Sequence, residues 1–378
     1  MKQVFKIIGS LLIGASLGFA VATLFIIFTT DLTLKEFLGK FSNVELLEMC
    51  GVVLFSIIGF LVTLVLHITA HEGGHLAAGL LTGYKFVSFR IFSITFIKSA
   101  RGIVIKRFKI GGTGGQCLLS PPQRPVEKIN TTWYNAGGFL ANLLLSGVGL
   151  YLFFLLDAAL AKTFMFIFSG TGIFFAILNG LPLKVGGIPN DGYNLKMLHK
   201  NLESKRAMCT QLKINAAIQE GMRPKFMPAE WFNTPDEESF DWSNPLQSSI
   251  RLMEASYIMD CGDIEKSHNI LIEAYKNKEK MAPLFVNELV CELIYTSLVI
   301  GDIVKAKELY TKDIEKYIQL HSKVMSSKER ILFTIELLMN NNNSAAISIL
   351  NSIKNRKEDY LMQGEVEMDI ALMERLLQ

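Results

Sequence analysis

Four stretches of the chain run for about 20 residues or more, the length of a spanning helix, without Asp, Glu, Lys or Arg. They are Ile7 to Thr30, Met49 to Ala70, Asn130 to Leu156 and Thr163 to Leu183. The pattern predicts about four membrane-spanning helices. In the first stretch, Lys2 and Lys6 precede an apolar run containing Ala20 and Ala22, which has some features of a signal peptide. The run continues through Leu24, Phe25, Ile26, Ile27 and Phe28, longer than the roughly 7 to 15 apolar residues of a signal sequence, so an uncleaved anchor is expected.

Between the second and third apolar stretches the period changes. From Phe86 to Phe108 the chain is rich in Phe, Ile and Val, with partial alternation at Phe86, Ser88, Arg90 and again at Val104, Lys106, Phe108. This predicts two or three strands that reverse near Ala100, Arg101 and Gly102. Gly111, Gly112, Gly114 and Gly115 read as a flexible exit, because the run lacks the strand-to-helix setting and Lys-Ser/Thr pair of a phosphate-binding loop.

From about Asn190 the pattern becomes that of a soluble chain. Pro224, Pro228, Pro235 and Pro245, with Asp236, Glu237 and Glu238, suggest a linker. Beyond it, Gly262-Asp263-Ile264-Glu265-Lys266 recurs about 40 residues on as Gly301-Asp302-Ile303-Val304-Lys305, with a degenerate copy at Asn342-Asn343-Ser344-Ala345-Ala346. Each copy lies between amphipathic helical stretches. The arrangement resembles a tetratricopeptide-like array of helical hairpins, with a non-repetitive helical bundle as the alternative; either ends in a capping helix near Glu365 to Leu377. The expected divisions are an anchor and external loop (1–48), a membrane core (49–215) with a β-rich insert (84–112), a linker (216–245) and a helical domain (246–378). The expected fold is mainly α: a polytopic membrane bundle, a small β-rich insert and an α-helical hairpin-repeat domain.

Composition agrees with a bilayer partner. Half of the 378 residues are hydrophobic and 19% are charged, against about 25% charged in a soluble domain. The net charge of +3 is too small to suggest a nucleic-acid partner. Five scattered cysteines without CxxC spacing argue against a disulfide framework or a cysteine-rich zinc site, and read as buried or reduced thiols. Where the cations sit is more informative. Lys85, Arg90, Lys98, Arg101, Lys106, Arg107, Lys109, Arg124 and Lys128 crowd one loop beside the single acid Glu127, which predicts that this loop is cytoplasmic. With four spans, both termini and the helical domain then lie in the cytoplasm of a multi-pass protein, expected in a bacterial cell membrane.

The chemistry concentrates at the end of the second apolar stretch, in His71-Glu72-Gly73-Gly74-His75. On a helix, histidines four apart share a face and can bind one Zn²⁺, with Glu72 placed to take a proton from the polarised water. Ionisable groups at a membrane are expensive, and a His-Glu-His cluster there is functional by default. His67, one turn earlier, shares that face; three ligands along one straight helix cannot all reach a tetrahedral centre, so His67 is expected behind the ligands or in packing. A third ligand must come from elsewhere.

With two further segments, the motif resembles the site-2 protease family of intramembrane zinc metallopeptidases over about residues 50–200. Those segments are Asn135-Ala136-Gly137-Gly138-Phe139-Leu140-Ala141-Asn142, and Asn179-Gly180-Leu181-Pro182 followed by Asn190-Asp191-Gly192. The resemblance implies that Asp191 is the third zinc ligand and that Asn142 and Asn179 hold substrate backbone or orient the centre. Asn142 also has a plainer reading, as an amide bonded to a neighbouring helix. The separation of Pro182 from Asp191 is longer than the family's pattern, and a loop containing Gly186, Gly187 and Pro189 is expected to absorb it. Among nearby residues, His199 is the rival ligand.

These readings imply a zinc endopeptidase acting on membrane-anchored protein or peptide substrates, in regulated intramembrane proteolysis or remnant-peptide processing. The helical domain would engage a cytoplasmic protein partner. The alternatives are a catalytically inactive scaffold that recruits such a partner through the repeats, and a metal transporter, which would need ionisable groups in several spans.

Overall fold

The computed structural model describes residues 46–99, 102–108, 113–234 and 240–378. The expected first span, Ile7 to Thr30, lies outside them, as do Arg101, Lys109 and the linker acids Asp236 to Glu238. The chain divides into two units, 1–61 and 62–378. Of the first, the described part is the beginning of a helix, α1 (Leu46–Leu81), which continues into the second.

Three helices among the described residues are long and apolar enough to cross a membrane: α1, α2 (Thr132–Leu155) and α3 (Ala159–Gly180). The outward residues of the second unit's spans are apolar, among them Val65, Leu66, Leu144, Phe154 and Phe174, whereas Thr63, His67, Asn142, Ser146 and Ser169 are buried. This inversion suits helices whose outer faces meet lipid. Several of the inner polar groups pair within the bundle: Thr63 and Thr171 hydroxyls lie 3.2 Å apart, and Ser146 Oγ donates to the Asn142 carbonyl at 2.8 Å.

Between α1 and α2 lies an antiparallel sheet of order β3-β2-β1-β4: β1 (Lys85–Ile91), β2 (Ile94–Ser99), β3 (Gly102–Arg107) and β4 (Gly115–Ser120). The first three follow the sequence expectation. The fourth extends the β-rich stretch beyond residue 112. Its consecutive Cys117, Leu118 and Leu119 are all buried, so they carry no alternation to betray a strand. Pairing with β1 shifts register between Phe86 and Ser88, a bulge that absorbs the mismatch.

After α3 the chain makes a two-residue hairpin, β5 (Lys184–Val185) and β6 (Ile188–Pro189), through Gly186 and Gly187. Their φ values of 59° and 83° are left-handed, as a type I′ turn demands. The hairpin absorbs the added length between Pro182 and Asp191. It leads into α4 (Asp191–Lys200) and α5 (Leu202–Gln219), and α5 packs against β4. In the stretch 216–245, Met227, Phe232, Phe240 and Trp242 are buried, and short 3-10 turns occupy Pro224–Phe226 and Ala229–Phe232.

The remaining helices are α6 (Pro245–Cys261), α7 (Ile264–Lys276), α8 (Pro283–Val299), α9 (Ile303–Leu309), α10 (Lys312–His321), α11 (Ser326–Thr334), α12 (Asn343–Asn355) and α13 (Gln363–Arg375). Three of their turns share one construction. A left-handed residue, Gly262, Gly301 or Asn341, precedes a cap, Asp263, Asp302 or Asn342, whose side chain accepts the amide three residues on. A small residue then enters the core: Ser267, Ala306 or Ala346. The third copy therefore begins at Asn341, one residue earlier than the sequence alignment places it.

Buried ions tie α8, α11 and α13 together. Arg330 Nε donates to Asp369 at 2.6 Å, and its Nη2 donates to both Glu292 carboxylate oxygens at 2.8 and 2.7 Å; Lys328 donates to Glu288 at 2.6 Å. Arg330 and Asp369 are almost wholly buried, so removing one leaves the other as an uncompensated charge. Arg330→Ala is expected to lower stability of the full-length protein in detergent by about 3–5 kcal/mol in urea unfolding followed by tryptophan fluorescence. A loss below about 1 kcal/mol, the value of an exposed pair, would contradict this account.

Candidate metal centre

His71 and His75 lie one turn apart on α1, and Asp191 is the first residue of α4. Their Nε2 atoms are 3.1 Å apart, and Asp191 Oδ2 stands 3.2 Å from the first and 3.3 Å from the second. A tetrahedral ion with bonds of about 2.0 Å separates its ligand atoms by roughly 3.3 Å. The triangle therefore has the edge length such an ion requires. Asp191 Oδ2 is buried without a hydrogen bond, which leaves its lone pairs available to a cation. Burial alone would raise the Asp191 pKa, but His71 and His75 outweigh it and hold the carboxyl at about 2.

Several close backbone approaches build this arrangement. Where α1 crosses α2, a Cβ on Gly74 would stand 2.1 Å from the Gly137 carbonyl oxygen, and one on Gly137 would stand 2.3 Å from that of Gly74. One residue along, a Cβ on Gly138 would lie 2.5 Å from His75 Nε2 and 2.6 Å from His71 Cε1. The small residues of the Asn135–Asn142 segment thus let the second helix lie directly against both imidazoles. The same helix supplies the Tyr134 carbonyl, which accepts from His75 Nδ1 at 2.6 Å and leaves Nε2 for a metal.

Asp191 is delivered by its neighbour. Asn190 Nδ2 donates to the Leu178 and Leu181 carbonyls at 2.5 and 2.6 Å, while its Oδ1 accepts from Leu183 N at 3.1 Å and Tyr193 N at 2.9 Å. One side chain therefore clamps the end of α3, closes the hairpin and caps α4. Gly192 completes the docking: a Cβ there would meet the Gly180 carbonyl at 2.1 Å.

The other sequence candidates fall in distinct places. Glu72 lies against the start of β4, where a Cβ on Gly115 would approach its Oε1 to 2.7 Å. Asn142 lies between His71 and His67, with its amide 3.3 Å from Nδ1 of each. His67 is buried behind the ligands and has Nε2 2.9 Å from the Phe168 carbonyl. Asn179 directs Nδ2 at the Phe175 carbonyl of its own helix, at 3.0 Å. His199 is exposed, two turns along α4 from Asp191.

Two positioning residues escape a sequence reading. Asn190 resembles an ordinary turn residue until its four bonds are seen. Arg90, counted among the loop cations, is 2% exposed; it donates to the Phe92 carbonyl at 2.7 Å and Thr113 Oγ1 at 2.5 Å, fixing the loop that enters β4 beside Glu72. The available signal was its place in the alternation of Phe86, Ser88 and Arg90.

Compared with known proteins, the chain matches no family model, no curated protein and no solved structure.

The triangle predicts about one bound zinc per chain in purified protein supplied with that metal. His71→Ala and Asp191→Ala should each lose it by elemental analysis, and His199→Ala should keep it. Zinc retained by Asp191→Ala and lost from His199→Ala would reverse the assignment.

Proposed function

We propose that this protein is an intramembrane zinc endopeptidase that cleaves membrane-anchored proteins or peptides in or beside their transmembrane segments. The carrying observation is the convergence of three ligand atoms from His71, His75 and Asp191 at tetrahedral spacing, with Glu72 adjoining them in sequence on an apolar helix. The resemblance to site-2 proteases agrees with this reading, and the donor set of two imidazoles and one carboxylate suits zinc.

Zinc bound there would supply Lewis-acid polarisation of the scissile carbonyl and acidification of water. Glu72 would take the proton on its carboxylate and pass it to the departing amine. Beside it, Arg90 anchors the Phe92 carbonyl and the Thr113 hydroxyl, restricting movement of the Gly115 strand end that adjoins the base. Asn142 acts on His71 rather than from a separate site, which favours its orienting role over direct substrate contact. A transmembrane substrate must unwind to expose a carbonyl, and an edge of the sheet can receive it as an added strand.

The basic loop argues for a cytoplasmic sheet. The helical region belongs on the same side: Ser88 Oγ donates to Gln219 at 2.9 Å, and Lys106 pairs with Glu358 at 2.5 Å. Its three similarly built turns support the hairpin-repeat reading, with a surface for a cytoplasmic protein partner. Substituted-cysteine labelling, on a background lacking exposed native thiols, should modify Lys98→Cys from the cytoplasm and Asp157→Cys from the opposite face. The reverse pattern would overturn this orientation.

Glu72→Gln should retain zinc and fold while cleavage of a reconstituted transmembrane peptide falls at least about 100-fold, the usual weight of a general base. Undiminished cleavage would remove the protease reading. A scaffold would tolerate this change in cells.

A further inference from the structure

The polar contacts behind the metal ligands allow their proton positions to be worked out from chemistry. A carbonyl oxygen can only accept. His75 Nδ1, 2.6 Å from the Tyr134 carbonyl, must therefore carry a proton, and its Nε2 lone pair faces the cluster. The same rule applies to His67, whose Nε2 is 2.9 Å from the Phe168 carbonyl and must be the protonated nitrogen. His67 is fully buried, and the described residues beside it, Asn142, Phe168 and Gly172, include no acid. A neutral ring is therefore favoured, which makes His67 Nδ1 an acceptor.

Asn142 completes the chain. Its amide is 3.3 Å from His67 Nδ1 on one side and 3.3 Å from His71 Nδ1 on the other. For His71 Nε2 to offer its lone pair toward Asp191 and His75, His71 Nδ1 must hold the proton and needs an acceptor. One orientation of the amide satisfies both rings: NH₂ toward His67 and oxygen toward His71. The structure has the opposite orientation, with Oδ1 toward His67 and Nδ2 toward His71. That choice would put two N–H groups on a buried ring without an acid, and a proton on His71 Nε2 where the cluster needs a lone pair. The oxygen and nitrogen of an amide are nearly isosteric, so turning it leaves both separations intact.

We infer that His67 and Asn142 form a tautomer relay: the Phe168 carbonyl fixes His67, His67 fixes the Asn142 amide, and the amide oxygen holds His71 in the form that binds metal through Nε2. Both are positioning residues that act through a ligand. The inference rests on the proposed metal centre and assigns to His67 a task that packing alone would not require.

Two measurements test the relay. In full-length protein labelled with ¹⁵N-histidine, NMR should give His67 as the Nε2–H tautomer and His71 with its proton on Nδ1, a result independent of catalysis. Finding the His71 proton on Nε2 in the wild type overturns the relay even if the protein is a working protease. The second measurement is zinc affinity in a double-mutant cycle. Asn142→Leu should weaken zinc about 10–100-fold, the usual cost of losing a group that orients a ligand. Asn142→Asp should restore it, because a carboxylate accepts from His71 without help from His67. Likewise His67→Phe should weaken zinc with Asn142 present and have no further effect beside Asn142→Asp. Equal losses in both backgrounds would mean that His67 only packs, and would overturn the inference. Wild-type protein that binds no zinc while showing the expected tautomers would refute the metal-centre reading while upholding the inferred proton positions.

Discussion

The candidate centre depends on how closely α1 and α2 can cross. Lipid supplies no hydrophobic drive for helices to associate, so backbone approach through small residues must provide the packing. Gly74 and Gly137 bring the two chains to the distance of a missing side chain, with Ala141 and Ala78 beside them. Everything polar follows from that crossing. The Tyr134 carbonyl reaches His75, Gly138 clears both imidazoles, and Asn142 reaches His71. A methyl group at the crossing would push the helices apart on the order of 1 Å, several times the ~0.2 Å tolerance of a metal–ligand bond.

The same economy of space governs the remaining ligand. Asp191 reaches the cluster because the first turn of α4 lies against the last turn of α3, with Gly192 on the Gly180 carbonyl. Asn190 prevents the join from fraying. The hairpin before it projects toward the helical region, where Gly187 touches Ala282 and Pro283, and Lys184 Nζ donates to the Ser243 carbonyl at 3.4 Å. The additional residues after Pro182 thus make a physical connection between the ligand-bearing loop and the helices beyond residue 240.

Much of this plan was legible in the sequence where the signal is local. Three of the apolar runs marked helices long enough to cross a membrane, the i and i+4 histidines fell together because helical geometry requires it, and the Gly-Asp repeats marked turns built from a left-handed residue and a cap. Long-range placement was less legible. Asp191 is far from His71 in sequence, and its role came from resemblance rather than spacing. Strand β4 was hidden because neighbours on both faces bury Cys117, Leu118 and Leu119 in succession, erasing the period of two. Arg90 looked like one more loop cation because its partners, Phe92 and Thr113, are backbone and hydroxyl groups that no charge pattern reveals. Asn179 was singled out by resemblance alone, and the bond its amide makes, to the Phe175 carbonyl of its own helix, could not be read from the sequence.

The separation of the donors along the chain also sets an order on biosynthesis. His71 and His75 emerge from the ribosome roughly 120 residues before Asp191, which at about 5–20 residues per second is an interval on the order of 10 s. Through that interval the imidazole pair lacks the carboxylate, and for roughly the first half of it the crossing helix, Thr132–Leu155, has not yet been made. The three donors can meet only after α2 and α3 have formed and α4 has folded back. Completion of the donor set is therefore a late event, and a chain stalled before residue 191 has only two of its three donors.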